Sequence, residues 1–317
     1  MWSYRQQAPY FCEPGSARRF LGERTHCRYC GASGPSIFGR RTNAHALPAA
    51  LGNRTLFSLD ECKACNDRFS VYEDALCKAV GPFLTLGGVR GRSGVRKTGL
   101  SGSKSTMRHA TLDGKRQLSI ASKGDASELV RVDQATGLLN LTMPVEGDVF
   151  VPRYAYKALA KIGLSILPGE ELPRFQKAIA SLQNLGAAPH GGPLQVGFSY
   201  AYVGNAPPAL AGTLLRRRDD RSPMPYMLFL LMAGSVCFQI WLRSDDLDAH
   251  VPEAGRLGIR FTAQLPKSEG DYFPITYSDP LQFDWSDLTP RLQPFEAFEL
   301  TFNPRTTEGS LRPIPRV

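Results

Sequence analysis

The chain has 317 residues, 42% of them hydrophobic and 21% charged, a balance that can bury a core and excludes a disordered polyelectrolyte. Its formal net charge of +9 favours a polyanionic partner, because cationic side chains that neutralise phosphates release condensed counterions. Seven cysteines, including two Cys-x-x-Cys pairs, exclude a secreted disulfide framework and point to metal binding in a reducing compartment, which we read as the cytoplasm.

Residues 1–26 form a polar, arginine-bearing lead-in with no apolar stretch behind its charges, so no signal peptide is expected. Two knuckles follow, Cys27-Arg28-Tyr29-Cys30 and Cys62-Lys63-Ala64-Cys65. Four thiolates at this spacing make a closed tetrahedral site, with structural zinc the expected ion. A redox Cys-x-x-Cys normally stands once, beside a βαβ pattern. Residues 31–61 suffice for a strand, a loop and a returning strand. The second knuckle leads into a helix expected over Asn66–Val80, where Phe69, Tyr72, Leu76 and Val80 share one face. Residues 27–83 therefore read as a zinc-stapled ββα-metal module, treble-clef-like in its order of elements.

Residues 84–115 are dense in Gly, Ser, Arg and Lys, and no acidic residue stands between Asp74 and Asp113. Such a segment reads as a basic linker or mobile arm that tracks a phosphate backbone. Residues 116–317 read as a second, α+β domain with a mostly antiparallel sheet. Strands are expected at residues 116–122 and 128–144, the latter turning at Thr136-Gly137. A helix over Tyr154–Leu167 carries Tyr156, Leu159, Ile162 and Ile166 on one face; Pro168-Gly169 ends it, and a second helix is expected from Glu170 to Leu185. Strands follow at residues 194–203, 257–265 and 294–302. Tyr226–Leu242 is apolar but short for a membrane span and broken by Gly234, Ser235 and Gln239, so it reads as two buried strands in a hairpin, and no membrane partner is expected. The run Arg216-Arg217-Arg218 precedes Asp219-Asp220, and it reads as readily as a self-neutralising turn as a phosphate contact.

Between the knuckles stand Asn43-Ala44-His45-Ala46-Leu47-Pro48 and Leu51-Gly52-Asn53, and after them Cys62-x-x-Cys65-Asn66-x-x-Phe69. Over residues 27 to about 76 this pattern resembles the HNH endonuclease family, and most closely its zinc-bound bacterial members with Asn in place of the final His. The resemblance implies a metal-dependent nuclease that hydrolyses phosphodiester bonds in DNA. His45 would be the general base, suited to that role by an ordinary imidazole pKa of about 6.5. Asn53 would either orient the His45 ring or hold the loop through backbone hydrogen bonds. Asn66 would place an oxygen on a catalytic Mg2+ or Mn2+ ion. Many members of that family carry Asp, Glu or His directly before the catalytic His as a metal ligand. Here that residue is Ala44, with Asn43 the substitute ligand by strand alternation.

Arg40, Arg41, Arg90, Arg92, Arg96, Lys97 and Lys104 are the expected nucleic-acid contacts. The larger domain would choose the target or regulate the module, and a homo-oligomer or a regulatory partner is compatible with that arrangement. In a bacterial setting, phage defence or a mobile element would suit such an enzyme. Alternative readings are a zinc-stabilised nucleic-acid-binding protein without catalysis, suggested by Ala44, and a nuclease that cleaves RNA.

Overall fold

A computed structural model describes the chain apart from residues 1–3, 8–9, 13–14, 40–42, 99–104, 113–114, 123–128, 145–146, 202–209, 252–261, 267–271, 306–308 and 317. The fold is mixed α+β with mostly antiparallel sheets. Its largest sheet runs in the order Tyr4–Gln6, Leu210–Arg217, Met227–Ala233, Val236–Leu242, Gln195–Tyr200, Leu281–Asp284. The Tyr226–Leu242 stretch is the expected hairpin, turning at Gly234 with φ +57. Both of its strands are buried along their whole length, which explains a continuous apolar run in place of alternation. Among the described residues, no helix is long and apolar enough to cross a membrane.

Helix α1 (Lys63–Ala79) starts inside the second knuckle, because the Cys62 sulfur accepts the Cys65 N–H and caps it. Its stripe of Phe69, Tyr72 and Leu76 is buried. A short helix α2 (Gly81–Leu86) follows, and then α3 (Pro152–Ser165), which opens with a proline at a position where the missing N–H costs nothing. The expected helix over residues 170–185 is shorter than the apolar stripe suggested. Gly169–Phe175 is a 3-10 segment around Pro173, whose ring and missing N–H are incompatible with an α-helix interior, and α4 runs only over Gln176–Gln183.

Helix α3 lies between α1 and the large sheet. Its close approach to the sheet requires Gly163: a Cβ there would stand 2.8 Å from Leu242 Cδ1 and 3.0 Å from Phe229 Cγ. A single hydrophobic core joins Phe69 and Tyr72 of α1, Leu159 and Ile162 of α3, and Phe229 and Ile240 of the sheet. A four-stranded sheet (Val130–Val132, Leu139–Pro144, Phe295–Phe302, Gly309–Pro315) meets this core through Phe83 of α2, whose ring lies 4.4 Å from Phe298 and 5.1 Å from Phe198.

The lead-in and the basic segment are more structured than their composition suggested. Tyr4–Gln6 is an edge strand of the large sheet, and Arg19–Leu21 pairs in parallel with Leu56–Ser58. Leu84, Thr85, Leu86 and Val89 are buried, and Thr98 donates to the Thr85 hydroxyl at 2.6 Å. The few apolar residues of this segment are enough to anchor it, leaving Arg90–Gly91 and Gly94–Val95 as a half-buried hairpin that exposes Arg90 and Arg92. Within the Arg216–Arg218 run, Arg217 is buried, paired with Asp248 at 3.2 Å and donating to the Met224 and Leu247 carbonyls. That arginine is structural.

Candidate active site

The Sγ atoms of Cys27, Cys30, Cys62 and Cys65 lie within 4.8 Å of one another, a group able to hold a metal ion such as zinc. Cys30 is exposed and the other three are buried. Amide donors already point at the sulfurs: the Cys62 backbone N–H donates to Cys27 Sγ at 3.4 Å, and the Gln183 side-chain Nε2 of α4 donates to Cys65 Sγ at 3.5 Å. Arg28, inside the first knuckle, reaches the buried C-terminal end of α3 and donates to the carbonyls of Leu164 (2.6 Å), Ser165 (3.1 Å) and Leu167 (3.2 Å). A guanidinium there serves the carbonyls of the last turn and complements the helix dipole. Asp60 holds the other edge of that guanidinium at 2.7 Å.

His45 ends the strand Ala44–His45, which pairs antiparallel with Leu56–Ser58. Its ring packs against Phe57, with centroids 4.9 Å apart. Burial, then the nearby charges of Arg92, Lys161 and Arg54, push its pKa down to about 4, so the imidazole is neutral at physiological pH. His45 and Asn66, in the second turn of α1, line two adjoining cavities. One, of about 550 Å³, also takes in Glu73, Arg92 and Arg96. The other, of about 190 Å³, takes in Asn43, Ala44, Glu61 and Arg92.

The expected residues separate at this point. Asn53 is buried and makes no hydrogen bond to the His45 ring. Its Nδ2 donates to the Leu47 and Leu56 carbonyls, each at 2.6 Å, and its Oδ1 accepts from the N–H groups of Thr55 (3.0 Å) and Leu56 (2.9 Å). Of its two expected roles, the hydrogen bonds match the loop clamp. Asn53→Asp replaces the donor with an acceptor facing two carbonyls, and it is expected to cost about 2–5 kcal/mol in denaturant unfolding. Loss of activity without loss of stability would instead make Asn53 part of the chemistry. Asn43 lines the small cavity, but its Oδ1 accepts from Arg24, which disfavours it as a cation ligand. Asn66 is not the helix cap, since Cys62 fills that position.

Arg92 is exposed and borders both cavities, and Arg96 borders the larger one while bonding Asp148. Arg90 and Lys97 are exposed on the same segment. Arg40, Arg41 and Lys104 lie outside the described residues.

Three ionisable residues beneath His45 were not assigned a role from sequence. Lys161 of α3 is fully buried, and its Nζ donates to the His45 carbonyl and to Glu73 Oε1, each at 3.1 Å, while also standing 3.1 Å from Glu61 Oε2. Burial opposes the ammonium charge, and Glu61 and Glu73 more than offset it, so the Lys161 pKa lies above its ordinary value. Burial pushes Glu61 up to about 7 against the opposing attraction of Lys161. In sequence, the signal was a pair of lysines, Lys157 and Lys161, one turn apart within an otherwise apolar helix. Lys161→Met leaves the buried Glu61 and the partly exposed Glu73 without their ammonium, and a loss of about 3–5 kcal/mol is expected in equilibrium unfolding. A variant within 1 kcal/mol of wild type (of the order of a surface change) would contradict this account. Comparisons with protein-family models, with curated proteins and with solved structures find no match for this chain.

Proposed function

We propose that the chain is a metal-dependent endonuclease of HNH type that hydrolyses phosphodiester bonds in DNA. The observation that carries this reading is the neutral, half-buried His45 sharing its cavities with the exposed Arg92 and with Asn66, which follows Cys65 of the four-cysteine group directly in the chain. On this reading the cysteines hold zinc as a structural staple of a treble-clef-like module, which fixes the start of α1 and hence Asn66.

His45 takes the proton from the attacking water. Its ring is held by Phe57 and its backbone carbonyl by Lys161, so the base is set before substrate arrives. Arg92, with Arg54 and Arg90 nearby on the exposed rim, contacts the phosphate backbone. The small cavity offers a hard cation the Asn66 amide oxygen and the Glu61 carboxylate, with Lys63 and Arg92 also among its lining and Lys161 paired to one Glu61 oxygen. What a bound Mg2+ or Mn2+ supplies is polarisation of the scissile phosphate and stabilisation of the leaving 3′ oxygen.

Ala44 favours a second reading, a zinc-stabilised nucleic-acid-binding protein without catalysis. Nicking of supercoiled plasmid in Mg2+ or Mn2+ separates the two. Cleavage that needs the added ion and is lost in His45→Ala supports the nuclease, whereas binding with no cleavage in either protein supports the second reading. Competition between DNA and RNA in the same assay identifies the preferred polymer.

A further inference from the structure

Ala44 offers no oxygen, yet the space beside it is not without a carboxylate. The strand Ala44–His45 pairs with Leu56–Ser58, setting Ala44 opposite Ser58. Three residues beyond Ser58 the chain returns past Ala44 as Glu61, just before the capped start of α1. Glu61 and Ala44 line the same small cavity, with Asn66 on its α1 side.

The Glu61 side chain is fully buried, and its Oε1 has no hydrogen-bond or ion-pair partner. That is unusual, because a buried carboxylate normally fills its lone-pair positions. Lys161 satisfies only part of this side chain. Its Nζ pairs as an ion with Oε2 at 3.1 Å, while it also donates to the His45 carbonyl and to Glu73, and Oε1 is left without a partner. Two carboxylates thus face one ammonium, leaving an unfilled Glu61 oxygen in a desolvated place where a cation would be strongly attracted. Asp60 does not share this position, since Arg28 and the Ser58 hydroxyl occupy its oxygens.

We propose that Glu61 is the carboxylate ligand of the divalent cation, acting with the Asn66 oxygen and taking the place that Ala44 leaves without a donor. This assignment rests on the nuclease reading above. Glu73 differs from Glu61 in two respects: it is partly exposed and already accepts a hydrogen bond from Lys161. It acts on the ion through Lys161.

The test is Mn2+ binding to the full-length, zinc-loaded protein by isothermal titration, in a His45→Ala background that prevents turnover. Glu61→Gln is expected to weaken Mn2+ binding at least about tenfold, Glu73→Gln less than about threefold, and Ala44→Asp added to Glu61→Gln to restore binding. Should Glu61→Gln lower the zinc content, Glu61→Asp gives the same reading, with the charge kept on a shorter arm and affinity still reduced. Unchanged affinity in Glu61→Gln, or a loss confined to Glu73→Gln, overturns the assignment. If that happens while the His45-intact protein still nicks plasmid with Mn2+, the ligand is wrong and the nuclease reading survives. If the His45-intact protein neither binds Mn2+ nor nicks DNA, both fall.

Discussion

Replacing His45 with Ala is expected to lower plasmid cleavage by about 10²–10⁴-fold, the usual range for loss of a positioned general base. Zinc content and thermal stability should stay near those of the parent. His45 is only partly buried, its ring touches Phe57 on one side, and the bond that anchors the strand comes from its own carbonyl, which alanine keeps. The loss should therefore fall on kcat with DNA binding preserved, because Arg92 and the neighbouring cations are untouched. Equal cleavage by both proteins would remove His45 from the chemistry.

The same residue fixes the acid limb of the pH profile. With its pKa pushed down to about 4, chiefly by burial and then by Arg92, His45 stays in its basic form well below the 6.5 of a free imidazole. The rate should therefore hold nearly level as pH falls from 8 to 6, where an unperturbed histidine would already be mostly protonated. Arg92→Gln removes one of the depressing charges and should move the limb upward. Stability runs with the same sign. The folded state binds the His45 proton less readily than the unfolded chain, so this contribution is complete above about 6.5 and is lost as pH falls toward about 4.

The contrast between His45 and Lys161 explains how much of the site was legible in the chain. Both knuckles, His45 and Asn66 are set by local spacing, since a Cys-x-x-Cys turn and a helix start keep their partners within a few residues. Lys161 meets Glu73 across a separation of 88 residues, and only the packing of α3 on α1 brings them together. Glu61 stood in plain view beside Cys62, but its importance lies in burial with one oxygen left unpartnered, which no spacing encodes. The fold divided in the same way. The Tyr226–Leu242 hairpin and α3 followed from apolar patterning, whereas Leu84–Val89 was hidden inside a glycine- and arginine-rich composition. Arg217 was ambiguous because its partner Asp248 lies 31 residues further on.

Stripping the metal from the four cysteines should have the largest effect on stability, and on the whole molecule. Structural zinc sites contribute an apparent ~10–16 kcal/mol, as much as the ~5–15 kcal/mol that holds an ordinary domain folded. In this fold the loss cannot stay local. Arg28 ties the first knuckle to three carbonyls at the end of α3, Tyr29 bonds the Ser165 hydroxyl at 2.7 Å, and Gln183 ties the second knuckle to α4. The core beneath them is continuous from Phe69 through Ile162 to the large sheet. Strong chelation, or Cys65→Ser, should therefore shift a single cooperative melting transition down by tens of degrees (at roughly 2–4 °C per kcal/mol for a chain of this size) or abolish it. Metal release measured alongside should approach one ion per chain, as one closed four-thiolate site requires. Two separate transitions, with the sheet melting at an unchanged temperature after the metal has gone, would mean that the module and the larger α+β body fold independently, and that the Arg28 clamp is an incidental contact.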